Sequence, residues 1–253
     1  MTYVADSCVG FLVSYLSVLR YAVNMEILMG YSEKSDGSMY LDPDGFEPVN
    51  IKNRRKYFDW IGAGEMRIVA AGLVHGTRVA SVGHGTPAYL PETDALVTAE
   101  PEILLTLTGA DCFPLYFHDD KAGVIGLSHA GWRGVSGGIA RNTIHEMIRL
   151  GADPSRLRLH IGPGICSKCF EVGEEVAAAF SAYPDALTRE GNSARVDLPA
   201  IIRSQVHDLG ISDDRISESG ECTACSRDMY FSYRRDRPKS LETQVAYVGM
   251  KTN

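Results

Sequence analysis

The sequence has no excess of basic residues and too few cysteines for a fold stabilised by disulfides. Its formal net charge is −7, and no block of a single charge sign stands out, so neither nucleic acid nor an anionic membrane surface is an expected partner. Six cysteines spread over 253 residues fit a reducing compartment, in which thiols stay free or bind metal. We therefore expect a cytoplasmic protein whose partner is a small molecule or another protein.

The pattern of a secretion signal and that of a membrane span are also lacking. The apolar segment from Ser7 to Val23 has no basic residue before it and no small-residue cleavage pattern after it, and Arg20 interrupts it well short of a bilayer span. This segment is typical of a buried strand or helix. Met25 offers a second start, so we assign residues 1–24 to an N-terminal extension. Because no repeat or long linker divides the chain, residues 25–253 are predicted to form one domain.

Several common enzyme signatures are absent. The chain contains no GxSxG nucleophile elbow, no GxGxxG dinucleotide fingerprint and no kinase signature, which removes several ordinary enzyme classes. The glycine-rich segment HAGWRGVSGG, which begins at His129, precedes a predicted helix but lacks the lysine of a phosphate-binding P-loop. Its backbone N–H groups and Arg133 are suited to an anion, although a tight turn packed under Trp132 explains the same pattern.

What the sequence does contain is a series of apolar, β-branched runs and a smaller number of amphipathic segments. Helical periodicity predicts helices at residues 50–61, 138–150 and 197–209, with a shorter one at 173–183. Compact apolar runs predict strands at 66–74, 78–82, 103–108, 113–117, 123–128, 157–161 and 244–249. Because strands outnumber helices and do not alternate with them strictly, we expect an α+β fold with mixed β-sheets flanked by helices.

Three residues at the ends of predicted strands form a candidate site. His75 ends GLVH, Cys112 follows ILLTLTGAD, and His129 follows GVIGLS. Side chains at such positions are well placed to line a cleft, and one cysteine with two histidines suits zinc with a fourth coordination position open. The spacings of 37 and 17 residues match no local metal motif, so a buried thiol and two turn histidines remain the simpler interpretation. Asp111 is predicted either to orient a ligand histidine or to cap the turn.

Four other cysteines offer a rival metal site. Cys166-Ser-Lys-Cys169 and Cys222-Thr-Ala-Cys225 are two CxxC pairs, which often hold structural zinc. However, 52 residues separate the pairs, whereas a zinc ribbon has about 15–20. Free thiols or occasional oxidative pairing are the alternative interpretation.

Six motifs follow one another along the chain: GLVHGTRV, DALVT, LTGADCFPLYFHD, SHAGWRG, IGPGICSKCFEVGEEV and CTACSRDMYFSYRRD. In this order they resemble the motifs of the YfiH/laccase-domain family, also called the polyphenol oxidase or peptidoglycan editing factor family. The likeness extends from about Ile27 to about Met250. HAGWRG preceded by an ADC-P motif is specific to this family, and six motifs in the same order make a chance resemblance improbable.

The resemblance implies mixed β-sheets sandwiched between helices, in a fold related to cysteine hydrolases of the bacterial deamidating-toxin type. It implies zinc, with copper as the less favoured metal, and makes three residues both metal ligands and catalytic residues: His75, Cys112 and His129. It also implies phosphorolysis of purine nucleosides, including methylthioadenosine, together with adenosine deamination. Purine nucleosides and phosphate are then the expected ligands, and the expected substrate contacts are Asn53, Arg54 and Arg133.

The chain departs from the family pattern at four places. Leu73 stands where glutamine is usual, Gly109 replaces a threonine, Lys34 replaces an arginine, and SLET, which begins at Ser240, replaces the motif TGR. The three implied ligands are kept. We therefore expect these departures to affect substrate preference more than metal binding.

Other functions stay open at this stage. Older family names imply a copper-dependent polyphenol oxidase, although seven histidines are few for multicopper electron transfer. A cysteine hydrolase that edits peptidoglycan precursors would use Cys112 as the nucleophile with a histidine as its base. A non-catalytic nucleoside-binding protein would keep the pocket without turnover. The sequence does not indicate an oligomeric state.

Overall fold

The structure is a computed structural model that describes residues 16–20, 25–41, 47–191 and 193–252. The helices are α1 (Pro48–Trp60), α2 (Trp132–Ser136), α3 (Ile139–Arg149), α4 (Glu174–Ala178), α5 (Leu198–His207) and α6 (Tyr233–Asp236). The strands are β1 (Leu16–Arg20), β2 (Met25–Tyr31), β3 (Arg67–Ala71), β4 (Val79–Ser81), β5 (Tyr89–Leu90), β6 (Ala95–Thr98), β7 (Ile103–Gly109), β8 (Phe113–Asp119), β9 (Val124–Ala130), β10 (Arg158–Ile161), β11 (Glu171–Val172), β12 (Leu187–Glu190), β13 (Ser193–Val196), β14 (Ile216–Glu218) and β15 (Gln244–Thr252).

The described strands form two large sheets and one small sheet. The first sheet has the order β1-β2-β15-β7-β3-β5, and the second has the order β14-β10-β8-β9-β6-β4. A separate three-stranded sheet has the order β11-β13-β12. Both large sheets are mixed: β7 is antiparallel to β15 but parallel to β3, and β10 is antiparallel to β8 but parallel to β14.

The two large sheets pack face to face and are covered by helices on their outer faces. Leu105 of β7 and Leu127 of β9 belong to the shared core between the sheets. The outer face of the first sheet packs on α1 through Phe58. The outer face of the second sheet packs on α3 and α5, whose buried side chains include Ile144 and Ile201. This arrangement confirms the predicted α+β class with mixed sheets; the likeness to cysteine hydrolases stays a prediction.

Local sequence explains the elements that position the site. Strands β7, β8 and β9 are almost entirely buried, because each has one face on the opposite sheet and one on a helical layer, and such strands are continuous apolar runs. Helix α3 buries Ile139, Ala140, Thr143, Ile144 and Met147, the spacing of an amphipathic helix with one face on a sheet.

Some predicted elements differ from the observed ones. The helix predicted at 173–183 is reduced to α4, and the residue before Pro184 is disfavoured in helical conformation. The glycine-rich segment after His129 contains the short helix α2 rather than only a turn. The sequence also did not predict β2, β5, β6, β11, β12, β13 or β14. Of these, β11, β12 and β13 are short and partly exposed and so lack a buried apolar run.

The predicted N-terminal extension is described only in part. Its residues Leu16–Arg20 form β1, an edge strand antiparallel to β2, and the rest of residues 1–24 lies outside the described residues. The boundary between extension and domain stays a prediction. Among the residues that the structure describes, no helix has the length and apolar character needed to cross a membrane.

Candidate metal and substrate site

The fold brings His75, Cys112 and His129 together, with one potential ligand atom of each within 4.8 Å of the others. His75 lies in the connection from β3 of the first sheet to β4 of the second, and Cys112 lies in the connection from β7 to β8, which also passes between the sheets. His129 is in β9, opposite Pro114 of β8. The site therefore forms where the β3–β4 and β7–β8 connections, which pass from one sheet to the other, come close to the end of β9.

The backbone beside the site adopts conformations that side chains rarely favour. His75 has φ of 59° and Asp111 has φ of 95°. Each such residue costs about 1–3 kcal/mol and persists only where surrounding contacts offset that cost. The turn at His75 is held by the Gly76 N–H, which donates to Asp94 Oδ2 at 2.8 Å. The turn at Asp111 is held by the Ile165 N–H, which donates to the Asp111 carbonyl at 2.8 Å. Strain of this kind is common at functional sites.

Asp94 holds the ring of His129. Its Oδ1 lies 3.2 Å from His129 Nδ1, its carbonyl accepts the His129 N–H at 2.8 Å, and its side chain is buried. With Nδ1 engaged, Nε2 is the ring nitrogen left for a metal. Sequence reasoning did not assign this role to Asp94, although it is the first residue of the DALVT motif. Asp111 instead accepts hydrogen bonds from Thr223 Oγ1 and the Arg234 N–H, both at 2.7 Å.

The electrostatics of the cluster favour a charged thiolate and imidazolium. Burial by itself raises the pKa of the Cys112 thiol, but the charge and hydrogen bond of His129, assisted by His75, lower that pKa to about 6. Burial likewise lowers the pKa of His129, whereas the Cys112 thiolate and the Asp94 carboxylate together raise it to about 9. The thiolate, which is the form that binds metal or acts as a nucleophile, is therefore favoured at neutral pH.

Gly131 leaves room for the three side chains. A Cβ at this position would lie 2.9 Å from Cys112 Sγ, 3.3 Å from His75 Cδ2 and 3.7 Å from His129 Cε1. Any side chain here would displace the cluster. One thiolate and two imidazoles around such a cradle are the donor set of an open zinc site, so the residues present fit the metal.

The cluster lines a cavity of about 510 Å³, a size within the range of about 300–1,000 Å³ typical of small-molecule sites. Aromatic and aliphatic side chains form much of its wall: Tyr40, Leu41, Leu73, Tyr89, Trp132, Ile165, Phe170, Leu198, Tyr233 and Leu241. Two arginines also line it. The Arg133 guanidinium is exposed and stacks 4.2 Å over the Trp132 ring, and Arg234 donates to the carbonyls of Cys169 and Glu171.

Two residues expected to contact substrate do not line this cavity. Arg54 is buried under the first sheet, where it donates to the Met39 carbonyl at 3.1 Å and to Thr106 Oγ1 at 3.0 Å, and burial lowers its pKa to about 10. Asn53 donates to the Ser38 carbonyl at 3.0 Å. Arg133, by contrast, lines the cavity. For all three residues, contact with substrate stays a prediction.

The departures from the family pattern cluster around the cavity. Leu73 and Gly109 line it, and so do Leu241 and Thr243 of the SLET segment. Lys34 instead places its ammonium group 5.5 Å from the centre of the Phe231 ring. The wall of the cavity is therefore where most of these departures lie, while the three implied ligands are unchanged.

Comparisons with known proteins agree with the motifs. A profile of the family described as multi-copper polyphenol oxidoreductase laccase matches residues 43–251. The chain is 37% identical over 232 residues to purine nucleoside phosphorylase from Deinococcus radiodurans, covering 87% of this chain and 88% of that protein. It is 40% identical over 154 residues to adenosine deaminase RL5 from an unknown prokaryotic organism, covering 58% of this chain and 59% of that protein. The crystal structure of the hypothetical protein YfiH from Bacillus licheniformis matches with a TM-score of 0.81 and 29% identity, covering 92% of this chain and 98% of that one. The chain therefore belongs to the laccase-like YfiH family that its motifs resemble.

Proposed function

We propose that this protein is a zinc-dependent purine nucleoside phosphorylase that uses inorganic phosphate to cleave the bond between base and ribose. One observation carries the proposal: His75, Cys112 and His129 meet at the wall of an open cavity of nucleoside size. The relative from Deinococcus radiodurans, named purine nucleoside phosphorylase, supports it. Methylthioadenosine is included among the proposed substrates, and the relative named adenosine deaminase supports adenosine deamination as a further reaction.

Each part of the cavity has a role in this proposal. Zinc held by the three side chains would supply Lewis acidity at an open coordination position. Asp94 keeps His129 in the tautomer that binds metal. Arg133, held against Trp132, offers a planar pair of donors to phosphate. The aromatic wall accepts the flat purine base and excludes water from the bond that breaks.

Cysteine hydrolysis is a second candidate, because one feature of the site favours it. Cys112, His129 and Asp94 form a chain of thiol, imidazole and carboxylate, which is the arrangement of a cysteine nucleophile with an oriented base. A thiolate bound to zinc is not free to attack. Zinc content therefore separates the two candidates: about one equivalent lost on Cys112→Ser supports the phosphorylase, and alkylation of Cys112 by iodoacetamide in protein as purified supports the hydrolase.

A multi-copper oxidase is less well supported. The described residues contain two groups of His, Cys, Asp or Glu side chains close enough to share an ion, and one of them consists of cysteines alone. Multicopper electron transfer needs several histidine-rich sites. Phenol oxidation that persists after adventitious copper is removed would reverse this ranking.

The proposal is tested with purified protein incubated with adenosine, inosine or methylthioadenosine, with and without phosphate, and chromatography of the products. We expect phosphate-dependent release of the base. Gly131→Ala should lower this activity at least about 100-fold, because its Cβ would lie 2.9 Å from Cys112 Sγ.

Gly173→Ala is the matched control, since Gly173 also precedes a short helix with negative φ but a Cβ there meets nothing within 4 Å. It should keep full activity. Absence of both phosphate-dependent base release and inosine formation would reject the proposal, and tight nucleoside binding without product would mark a binding protein.

A further inference from the structure

A second cluster of potential metal ligands lies outside the catalytic site. The thiols of Cys166, Cys169, Cys222 and Cys225 all lie within 4.8 Å of one another. We propose that these four thiolates bind a structural zinc ion that fixes one wall of the substrate cavity. This proposal does not depend on the reaction catalysed at the first site.

The sheet explains how two CxxC pairs so far apart in sequence come together. The first pair follows β10 and the second follows β14, and these two strands are parallel neighbours, so their connections leave the sheet at the same end. The pairing continues beyond the strands, because Gly164 forms a bridge with Cys222 and accepts the Thr223 N–H at 3.1 Å. The long sequence separation is therefore no objection to a shared site.

The geometry of the sulfurs fits tetrahedral zinc. Four sulfurs at about 2.3 Å from zinc lie about 3.8 Å from one another, and Cys169 Sγ lies 3.5 Å from Cys225 Sγ. The Cys166 N–H donates to Cys222 Sγ at 3.3 Å, a backbone contact that stabilises a thiolate. All four cysteines are free of disulfides, so no covalent bond occupies the ligands.

Two arginines donate hydrogen bonds to the two loops that carry the cysteines. The first loop follows β10 and carries Cys166 and Cys169, and the second follows β14 and carries Cys222 and Cys225. Arg235 donates to the carbonyls of Thr223 at 2.8 Å and Ala224 at 3.2 Å, both between Cys222 and Cys225. Arg234 donates to the Cys169 carbonyl at 3.0 Å. Four thiolates with one zinc carry a net charge of −2, and the Arg234 guanidinium offsets part of that charge. Arg235 is itself paired with the Asp236 carboxylate at 2.7 Å, so its contribution here is the hydrogen bonds to the loop.

The cluster also connects to the catalytic cavity. The first loop supplies Ile165 and Phe170 to the cavity wall. Ile165 N–H and Thr223 Oγ1 donate to Asp111, next to Cys112, at 2.8 and 2.7 Å. A zinc ion at the four cysteines would thus link both loops and hold the turn that carries Cys112.

The test is the zinc content of the full chain, purified under reducing conditions and measured by atomic emission. We expect about two zinc ions per chain in the wild type, about one in Cys169→Ser/Cys225→Ser and about one in Cys112→Ser. Ser167→Ala, which alters the same loop without removing a thiol, should keep about two. The double serine variant should also melt at a lower temperature than Ser167→Ala, because it lacks the link between the loops.

A second measurement leaves the four cysteines intact, in case the double variant does not fold. Cys112→Ser is loaded with cobalt, and the cluster should then give the strong thiolate-to-metal and visible bands of tetrahedral cobalt. Zinc content that does not change on Cys169→Ser/Cys225→Ser, absence of those cobalt bands, or a Cys169–Cys225 disulfide in freshly purified protein would each overturn the proposal. The catalytic proposal is tested separately, by the loss of one zinc ion in Cys112→Ser. Failure of the structural-zinc proposal can therefore be distinguished from failure of the catalytic proposal.

Discussion

At the scale of single residues, Asp94 determines which nitrogen of His129 is available. The carboxylate contacts Nδ1 at 3.2 Å and accepts the Gly76 N–H at 2.8 Å. In Asp94→Asn the amide oxygen can still accept from Gly76, so the amide NH₂ faces Nδ1. An imidazole that accepts at Nδ1 carries its proton on Nε2 and is a poor metal ligand.

We therefore expect Asp94→Asn to weaken zinc binding by about 10–100-fold, with a parallel loss of activity. Competition with a chromophoric chelator measures the zinc affinity, and circular dichroism checks the fold. Glu92→Gln is the control, because it removes an exposed carboxylate two residues away. Equal zinc affinity in Asp94→Asn and Glu92→Gln would show that the His129 tautomer is not set by Asp94.

The position of Arg54 in the fold differs from the one that its predicted role as a substrate contact requires. By sequence it is one of several cations in a polar helix, and the family resemblance makes it a substrate contact. In the fold it lies on the buried side of α1 and is satisfied by Met39 and Thr106. Arg133, by contrast, lies in the short helix α2 and lines the cavity. Sequence alone does not distinguish a buried guanidinium from one that is open to ligand.

At the scale of elements, Asp119 ties the end of β8 to the loop that precedes β10. It is buried and accepts hydrogen bonds from the Lys121, Ala122 and Asp153 N–H groups and from Arg156. Burial by itself raises the pKa of this carboxyl, but the hydrogen bonds from Arg156 and from the backbone lower the pKa below its ordinary value. The ionised form is therefore the one that stabilises the fold.

Asp119→Asn should lower the free energy of unfolding by about 1–3 kcal/mol at pH 7, measured by urea denaturation. Because the folded-state pKa lies below the unfolded-state value of about 3.9, this stabilisation is fully present above that pH and is lost as pH falls through the folded-state pKa. The difference between wild type and variant should therefore shrink below about pH 4.

Asp185→Asn serves as the reference, since Asp185 is exposed and its replacement should change stability by less than about 0.5 kcal/mol. A wild-type advantage that stays constant from pH 7 to pH 3 would show that the charge of Asp119 does not carry the effect.

At the scale of the whole molecule, the first and the last strand that the structure describes occupy different places in the first sheet. Strand β15 lies between β2 and β7, and its residues up to Met250 are buried, whereas β1 is at the edge and pairs with β2. Removal of a central strand splits a sheet and its core, whereas removal of an edge strand exposes only one row of hydrogen-bonding groups.

We expect deletion of residues 244–253 to abolish cooperative unfolding, and deletion of residues 1–24 to retain the fold, the zinc content and the activity. Thermal denaturation followed by circular dichroism, with zinc analysis, measures both. The cavity-lining residues of the described chain begin at Tyr40, which supports the second expectation. If the chain without residues 1–24 fails to fold, the N-terminal segment is part of the domain.

The sequence predicted several helices and strands in which the apolar residues follow a regular pattern. Helices α3 and α5 carry a helical apolar period, and strands β7, β8 and β9 are continuous apolar runs because both of their faces are covered. Strands β5 and β14, which were not predicted, are only two and three residues long, too short for a period to be read. Their positions depend on pairing with β3 and β10, which a local pattern does not record.

The sequence by itself determined the α+β class and membership of the family, because these follow from residue types and their order. Only the tertiary structure decided which distant residues meet. In the fold, Asp94 contacts His129, Arg54 is buried, and two CxxC pairs separated by 52 residues lie close together. The physical reason is that these contacts depend on strand order and on which sheet end each loop leaves, and local propensity encodes neither.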